Sequence, residues 1–131
     1  MKYLLDTTVL ISMIKGLHNA RTAILKAGFD ACAVSEIALA ELIYGAYKGG
    51  YERHAGEIDF IKSTFKLLPI GDSIDTYGKI RADLEQSGFK LDSLDLLIAS
   101  TAIKNNLTLI THNTRHFERV PGLKLKDWER D

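Results

Sequence analysis

The sequence has little of what marks secreted, extended or repetitive proteins. It contains one cysteine, which excludes an internal disulfide, and only two prolines among 131 residues. No stretch rich in serine, glycine and proline suggests a linker or a disordered tail, and no internal repeat is visible. With a hydrophobic fraction of 46%, the chain is expected to form a single compact domain over residues 1–131.

Long apolar runs and an excess of charge of one sign are absent as well. The apolar runs are shorter than the ~20 residues of a membrane helix, and the first one meets Asp6 too soon for a signal peptide. We therefore expect a cytoplasmic protein without membrane association. The 17 basic residues balance the 17 acidic ones, so any binding of nucleic acid is expected to be local.

Short apolar segments that alternate with amphipathic ones predict an α/β fold. The predicted strands cover residues 2–6, 30–35, 66–70, 107–111 and 122–128, and helices are predicted over most of the chain between them. The first helix is expected to begin at Thr7 and to carry its apolar face as far as Leu17. This alternation is typical of a mainly parallel sheet of four or five strands flanked by helices. In such sheets the ligand crevice lies beyond the carboxyl ends of the strands.

Three acids break the apolar pattern. Asp6 interrupts the run YLLDTTVLI at residues 3–11, and an unpaired carboxylate in the core would be costly. We therefore expect it at the end of the first strand, exposed to the crevice. Glu41 has an apolar or small neighbour one helical turn away on either side, so it faces inward or into a cleft. Asp95 lies in the first turn of an apolar helix, where the helix dipole favours an acid.

Each of these residues also has a purely structural explanation. Asp6 can cap the helix that follows it, and Glu41 can be an ordinary surface residue. Asp95 can belong to a capping box opened by Asp92, and Asn113, after the fourth strand, can be a turn residue. Taken together, however, clustered carboxylates repel one another unless a cation neutralises them. Oxygen ligands suit Mg²⁺ or Mn²⁺, so metal-dependent hydrolysis of phosphodiesters is the leading hypothesis.

Four segments of the chain resemble those of PIN-domain ribonucleases, and more closely those of the VapC-type toxins of bacterial toxin–antitoxin pairs. They are LLDTTVLI, AELIYGA, LDLLIASTAI and TLITHNTRHFERVPGLKLKDW. Each motif is short, but their order and spacing over residues 2–128 make the resemblance specific. It implies a three-layer, Rossmann-like PIN domain with an acidic Mg²⁺ pocket.

The resemblance implies a role for several positions of this chain. Asp6 and Asp95 are the principal ligands of Mg²⁺, or of Mn²⁺ in its place. Glu41 completes the acidic pocket, and Thr7 and Thr111 support it.

Two positions depart from the family pattern. Asn113 stands where many PIN domains have a fourth acid; we keep it among the catalytic candidates, but the lost charge favours one metal ion over two. His116 stands where these toxins often have glutamate or aspartate, and we assign it no role.

The implied activity is endonucleolytic cleavage of RNA, in which water attacks phosphorus and a 3′-hydroxyl leaves. The resemblance also implies a homodimer and a hetero-oligomer with a cognate, VapB-like antitoxin that places a segment in or beside the pocket. Basic residues are candidates for contacting the RNA backbone. They are Lys15, Lys48, Arg115 and Arg119.

Two other functions stay open. An aspartate at a strand end, such as Asp6, can accept a phosphoryl group, although the lysine that this chemistry usually needs is missing after the later strand. A PIN-like module could also bind a partner without catalysis. His112 and His116 have the spacing of a zinc-binding pair. We do not predict zinc there, because no third ligand is obvious nearby and Arg115 would oppose a cation.

Overall fold

The computed structural model of the protein describes residues 1–130, and within that range five strands form one sheet. The strands are β1 (Tyr3–Leu5), β2 (Cys32–Ser35), β3 (Lys66–Leu68), β4 (Thr108–Ile110) and β5 (Lys124–Lys126). The helices are α1 (Thr7–Lys15), α2 (Ala20–Ala27), α3 (Glu36–Gly49), α4 (Tyr51–Thr64), α5 (Ser73–Gln86), α6 (Ser93–Lys104) and α7 (Thr114–Phe117). A single 3-10 turn covers Phe29–Ala31.

The sheet order is β3-β2-β1-β4-β5, and all four strand pairs are parallel. The predicted parallel α/β sheet is therefore confirmed, with five strands. All four residues of β2 are buried, so helices must cover both faces of the sheet. β1 lies between β2 and β4, which is the point where the strand order changes direction. Ligand crevices of parallel sheets form at such switch points.

Apolar strands and an apolar helix form the centre of the core. Leu4 and Leu5 of β1, Leu109 of β4 and Ile98 of α6 are completely buried. Each such side chain stabilises the fold by roughly 1.5–3 kcal/mol. Cys32 of β2 is buried as well, and burial raises the pKa of its thiol to about 11, so the thiol stays protonated at neutral pH. This fits the small apolar role that a lone cysteine usually has.

The helix ends follow local sequence signals in most places. Ser35 Oγ accepts a hydrogen bond from the backbone N–H of Ile37 at 3.0 Å, which caps the first turn of α3. The first helix ends earlier than predicted, because Gly16 takes a left-handed conformation with φ of 70° and closes α1. Leu17 therefore lies outside the helix and is 48% exposed. Among residues 1–130, no helix has both the length and the apolar composition needed to cross a bilayer.

Candidate functional site

The candidate site lies where β1 and β4 end side by side. Asp6 directly follows β1 and Thr111 directly follows β4, and the backbone N–H of Asp6 donates to the carbonyl of Ile110 at 2.9 Å. Both polar residues therefore lie at the carboxyl ends of their strands, at the switch point of the sheet. The structure places Asp6 at the predicted strand end.

The carboxylate of Asp6 is buried, and our expectation that it is exposed to the crevice was wrong. Its side chain is only 3% exposed, and its Oδ2 accepts hydrogen bonds from Thr111 Oγ1 at 2.7 Å and from Thr8 Oγ1 at 3.1 Å. These two hydroxyls offset the cost of burying the charge. Asp6 occupies the N-cap position of α1, but its side chain makes no capping hydrogen bond. Nor does any donor within residues 1–130 contact its second oxygen, Oδ1.

Backbone groups hold the two threonine hydroxyls in place. Thr111 Oγ1 accepts from the N–H of Asn113 at 3.0 Å, and Thr8 Oγ1 accepts from the N–H of His112 at 3.3 Å. Each hydroxyl has one proton, which it donates to Asp6, so these acceptor contacts fix its direction. Thr8 belongs to the site together with the predicted Thr111, although no sequence pattern marks it.

Glu41 reaches the site because α3 packs against both α1 and α6. Thr7 Oγ1 donates to Glu41 Oε1 at 3.1 Å, as a supporting residue would. Burial raises the pKa of Glu41, and the charges of Asp95 and Asp6 raise it further, while the bond from Thr7 acts in the opposite direction. The half-buried carboxylate of Glu41 therefore lies within the electrostatic reach of both aspartates.

Asp95 is in the first turn of α6, and its carboxylate contacts a histidine. His116 Nε2 lies 2.8 Å from Asp95 Oδ2, and the two side chains are 32% and 28% exposed. Burial raises the pKa of Asp95, and the negative charge of Asp6 contributes in the same direction, whereas His116 lowers it. Asp92 caps the helix by accepting from the backbone N–H groups of Leu94 and Asp95. The capping box is thus only half formed, since the Asp95 side chain turns to His116.

The remaining candidates are Asn113 and the four basic residues, and their surroundings differ. Asn113 is exposed, and its backbone rather than its amide provides the contact to Thr111. Lys15 lines a groove of about 300 Å³ together with Thr7 and Glu41. Lys15 is thereby placed in a groove that includes an acid of the site.

The other three basic residues have different surroundings. The guanidinium of Arg119 lies 3.9 Å from the ring centre of Phe89, and the ammonium of Lys48 lies 6.0 Å from that of Tyr44. Arg115 is exposed on α7, next to His116.

The residues of the site fit a hard divalent cation. Asp6, Glu41 and Asp95 offer carboxylate oxygens, and the repulsion between them would be relieved by a positive ion. Oxygen ligands without sulfur favour Mg²⁺ or Mn²⁺ over softer metals.

Comparison with known proteins agrees with the fold and the motifs. The sequence profile of the PIN domain matches residues 3–123. Ribonuclease VapC2 of Rickettsia felis is 35% identical and spans 99% of this chain and all of its own length, and the tRNA(fMet)-specific endonuclease VapC of Shigella flexneri is 35% identical over 98% of both.

Solved structures extend the agreement to three dimensions. VapBC2 from Rickettsia felis, bound to a DNA fragment from its promoter, superposes with a TM-score of 0.90 at 34% identity, covering 98% of this chain and 99% of that chain. DNA-bound VapBC from Salmonella typhimurium gives 0.91 at 33% identity, covering 98% of both chains. The chain therefore belongs to the PIN domain family and, within it, to the VapC-type ribonucleases.

Proposed function

We propose that this protein is a Mg²⁺-dependent endoribonuclease toxin that hydrolyses RNA phosphodiesters in the pocket formed by Asp6, Glu41 and Asp95. The observation that carries the proposal is electrostatic. The charges of Asp6 and Asp95 both raise the pKa of Glu41, so the three carboxylates are near enough to interact with one another, and Asp6 lies at the switch point of the sheet. Acids gathered in this way fit a cation, which would in turn attract a phosphate, far better than they fit a purely structural role.

The chain's own groups have distinct tasks in this proposal. Thr8 and Thr111 hold Oδ2 of Asp6, so Oδ1 would be available to hold the ion, and Asp95 would provide the second ligand. When bound, Mg²⁺ supplies charge neutralisation for the phosphate and activation of water as a nucleophile. Glu41 is fixed by Thr7 through one oxygen, so its other oxygen can orient the attacking water. A raised pKa also makes Glu41 a better proton acceptor near neutral pH.

The groove beside the pocket supports binding of a polymer. Lys15 lines it with Glu41, so a cation lies beside the acids where a phosphate backbone would need one. Arg115, Arg119 and Lys48 remain candidates for further backbone contacts. The solved VapBC relatives contain an antitoxin as well as a toxin. We propose a VapB-like antitoxin as the partner of this chain too, with the toxin chains paired as a homodimer.

A phosphoacceptor function receives less support from the same site. A phosphoryl donor must approach an aspartate in line, but Asp6 is 3% exposed and one of its oxygens already accepts two hydrogen bonds. A PIN-like module that binds without catalysis predicts no cleavage at all, so the activity assay separates it from an enzyme.

The decisive experiment incubates the purified chain with total RNA, with Mg²⁺ or with EDTA, and maps the RNA ends. We expect Mg²⁺-dependent cuts that leave 5′-phosphate and 3′-hydroxyl ends. Asp95→Asn should slow cleavage roughly 100-fold or more, since each loss of about 1.4 kcal/mol of transition-state stabilisation costs a factor of ten. The matched control is Asp75→Asn, which removes an exposed acid from the first turn of α5.

Three results would count against the proposal. Cleavage that persists at the wild-type rate in folded Asp95→Asn would exclude the assigned ligand. Ends with a cyclic phosphate would indicate attack by the ribose 2′-hydroxyl rather than water. Covalent labelling of Asp6 by a phosphoryl donor would favour the phosphoacceptor function.

A further inference from the structure

A second group of metal-ligating side chains lies beyond the ends of β4 and β5, outside the acid pocket. It consists of His18, from the loop between α1 and α2, His112, which follows Thr111, and Asp127 and Glu129, which follow β5. Four residues from three separate parts of the chain thus converge. We call this group the histidine–carboxylate cluster.

The distances inside the cluster are short. His112 Nδ1 lies 3.2 Å from Asp127 Oδ1 and 3.8 Å from Glu129 Oε2. His18 Nδ1 lies 2.9 Å from Glu129 Oε1, and the two imidazole rings are 5.0 Å apart, centre to centre. One ligand atom from each of His112, Asp127 and Glu129 lies within 4.8 Å of the other two.

The cluster is partly buried, since the side chains of His18 and Glu129 are 46% and 41% exposed while those of the other two residues are largely buried. Asp127 is 3% exposed, and the side chain of His112 is 17% exposed. Asp127 Oδ1 also accepts from the backbone N–H of Glu129 at 3.0 Å, which turns the second acid towards the histidines. The parallel pairing of β4 with β5 holds His112 and Asp127 at neighbouring strand ends.

The spacing of the ligand atoms matches a small tetrahedral site. Zinc binds histidine nitrogen and carboxylate oxygen at roughly 2.0–2.2 Å, so neighbouring ligand atoms in a tetrahedron are about 3.3–3.6 Å apart. The separations of 3.2 and 3.8 Å from His112 Nδ1 bracket that range. One imidazole with two carboxylates suits zinc and similar transition metals, whereas Mg²⁺ prefers oxygen ligands alone.

We propose that the histidine–carboxylate cluster binds one transition-metal cation of the Zn²⁺ class, separately from the Mg²⁺ pocket. His112, Asp127 and Glu129 are the ligands, and His18, whose Nδ1 lies 2.9 Å from Glu129 Oε1, orients Glu129. The bound cation fastens the segment after β5 to His112, beyond the end of β4. The N–H of His112 donates to Thr8, so this clamp also steadies a residue that holds Asp6.

The test uses a protein in which the acid pocket can no longer compete for metal. Asp6→Asn/Asp95→Asn leaves the cluster unaltered, so its result is independent of whether the proposed ribonuclease activity is right. After removal of metals, this double variant is titrated with Zn²⁺ against a chromophoric chelator, and separately with Co²⁺. We expect one Zn²⁺ per chain, no displacement by excess Mg²⁺, and the intense visible absorption of four-coordinate cobalt.

Histidine variants in the same background locate the bound ion. His112→Gln should weaken Zn²⁺ binding by more than the roughly 10–100-fold that loss of an outer-shell partner costs. The control is His54→Gln, which removes a histidine paired with Glu57 at 3.0 Å on α4 and should change nothing. Absence of stoichiometric Zn²⁺ binding, cobalt absorption typical of six-coordinate ions, or undiminished affinity in His112→Gln would each overturn the proposal. The cobalt spectrum decides the question even if His112→Gln fails to fold.

Discussion

His116 Nε2 lies 2.8 Å from Asp95 Oδ2, so a ligand of the proposed Mg²⁺ site already holds a hydrogen bond from within the chain. A cation that uses this oxygen must displace the imidazole. Loss of a hydrogen bond of this kind costs about 0.5–1.5 kcal/mol. Competition of this type lowers the affinity of the pocket for Mg²⁺ without altering its ligands.

We therefore expect His116→Ala to strengthen Mg²⁺ binding by roughly two- to tenfold, the equivalent of that free energy. Calorimetric titration of the purified variant at a fixed pH measures the change. His54→Ala serves as the control, because it breaks a histidine–carboxylate pair on α4. Weaker Mg²⁺ binding in His116→Ala would show instead that the imidazole orients Asp95 for the metal.

The hydroxyl groups on Asp6 should matter for stability. Thr111→Val keeps the shape of a fully buried side chain but removes the donor 2.7 Å from a buried carboxylate. We expect the free energy of unfolding of the metal-free protein to fall by about 1–3 kcal/mol, the cost of leaving such a group without its partner. Added Mg²⁺ should restore part of the loss, since a cation offers the carboxylate a new partner.

Thr101→Val is the matched control for that measurement. Its hydroxyl is equally buried but donates to the carbonyl of Leu97 in its own helix at 2.8 Å. That carbonyl keeps its helical hydrogen bond in the variant, so a smaller loss of stability is expected. Equal losses in the two urea titrations would mean that the contact with Asp6 contributes nothing of its own.

The three acids should not contribute equally to metal binding. Glu41 has one oxygen held by Thr7 at 3.1 Å, whereas Asp6 has an oxygen free of protein donors within residues 1–130. Glu41→Gln is therefore expected to weaken Mg²⁺ binding less than Asp6→Asn, while still slowing cleavage through the attacking water. Titration of both variants with Mg²⁺ gives the order directly, and the reverse order would reassign Glu41 as a principal ligand.

The architecture could be predicted because the decisive signals are local in the sequence. Strands of three to four residues, largely apolar apart from the lysines of β3 and β5, each end at a polar residue or a turn, and parallel pairing follows from the helices between them. The strand pattern predicts Asp6 and Thr111 at strand ends, whereas the supporting role of Thr111 in the pocket is implied only by the resemblance to PIN-domain ribonucleases. The register of β1 against β4 then brings the two together.

The parts that sequence could not predict depend on contacts between distant residues. The side chains of Thr8 and Thr111 are in contact although 103 positions separate them in the sequence. His116 likewise contacts Asp95, which lies 21 positions away. The helix that carries His116 has four residues, too few to show a helical period. The burial of Asp6 was missed for the same reason, because one of its two hydroxyl partners comes from another strand end.

The histidine–carboxylate cluster shows the same limit. The sequence around His112 offers no obvious third ligand, which argues against a zinc site formed by His112 and His116. The fold indeed separates that pair, since His116 contacts Asp95. The residues that accompany His112 in the proposed metal site are Asp127 and Glu129. Both follow β5 and are therefore distant from His112 in the sequence.

Acid strength within the pocket gives a final prediction, on the pH dependence of stability. In the folded protein the pKa values of Glu41 and Asp95 lie above their ordinary values of 4.5 and 3.8. Between the ordinary and the raised values, the folded chain therefore binds more protons than the unfolded chain. The two acids thus destabilise the metal-free fold at neutral pH, and that penalty shrinks as the pH falls through the raised values.

Comparison of the wild type with Glu41→Gln/Asp95→Asn isolates this effect from every other titrating group. In EDTA, the free energy of unfolding of the wild type should rise relative to that of the double variant as the pH falls from neutral towards the ordinary pKa values of the two acids. Excess Mg²⁺ should reverse the trend for the wild type, because the cation then competes with protons for the same oxygens. Urea titrations across this pH range measure both slopes, with Asp75→Asn expected to follow the wild type. Parallel curves for the wild type and the double variant would mean that neither burial nor neighbouring charges alter the pKa values of the two carboxylates. The electrostatic argument for the pocket would then fail.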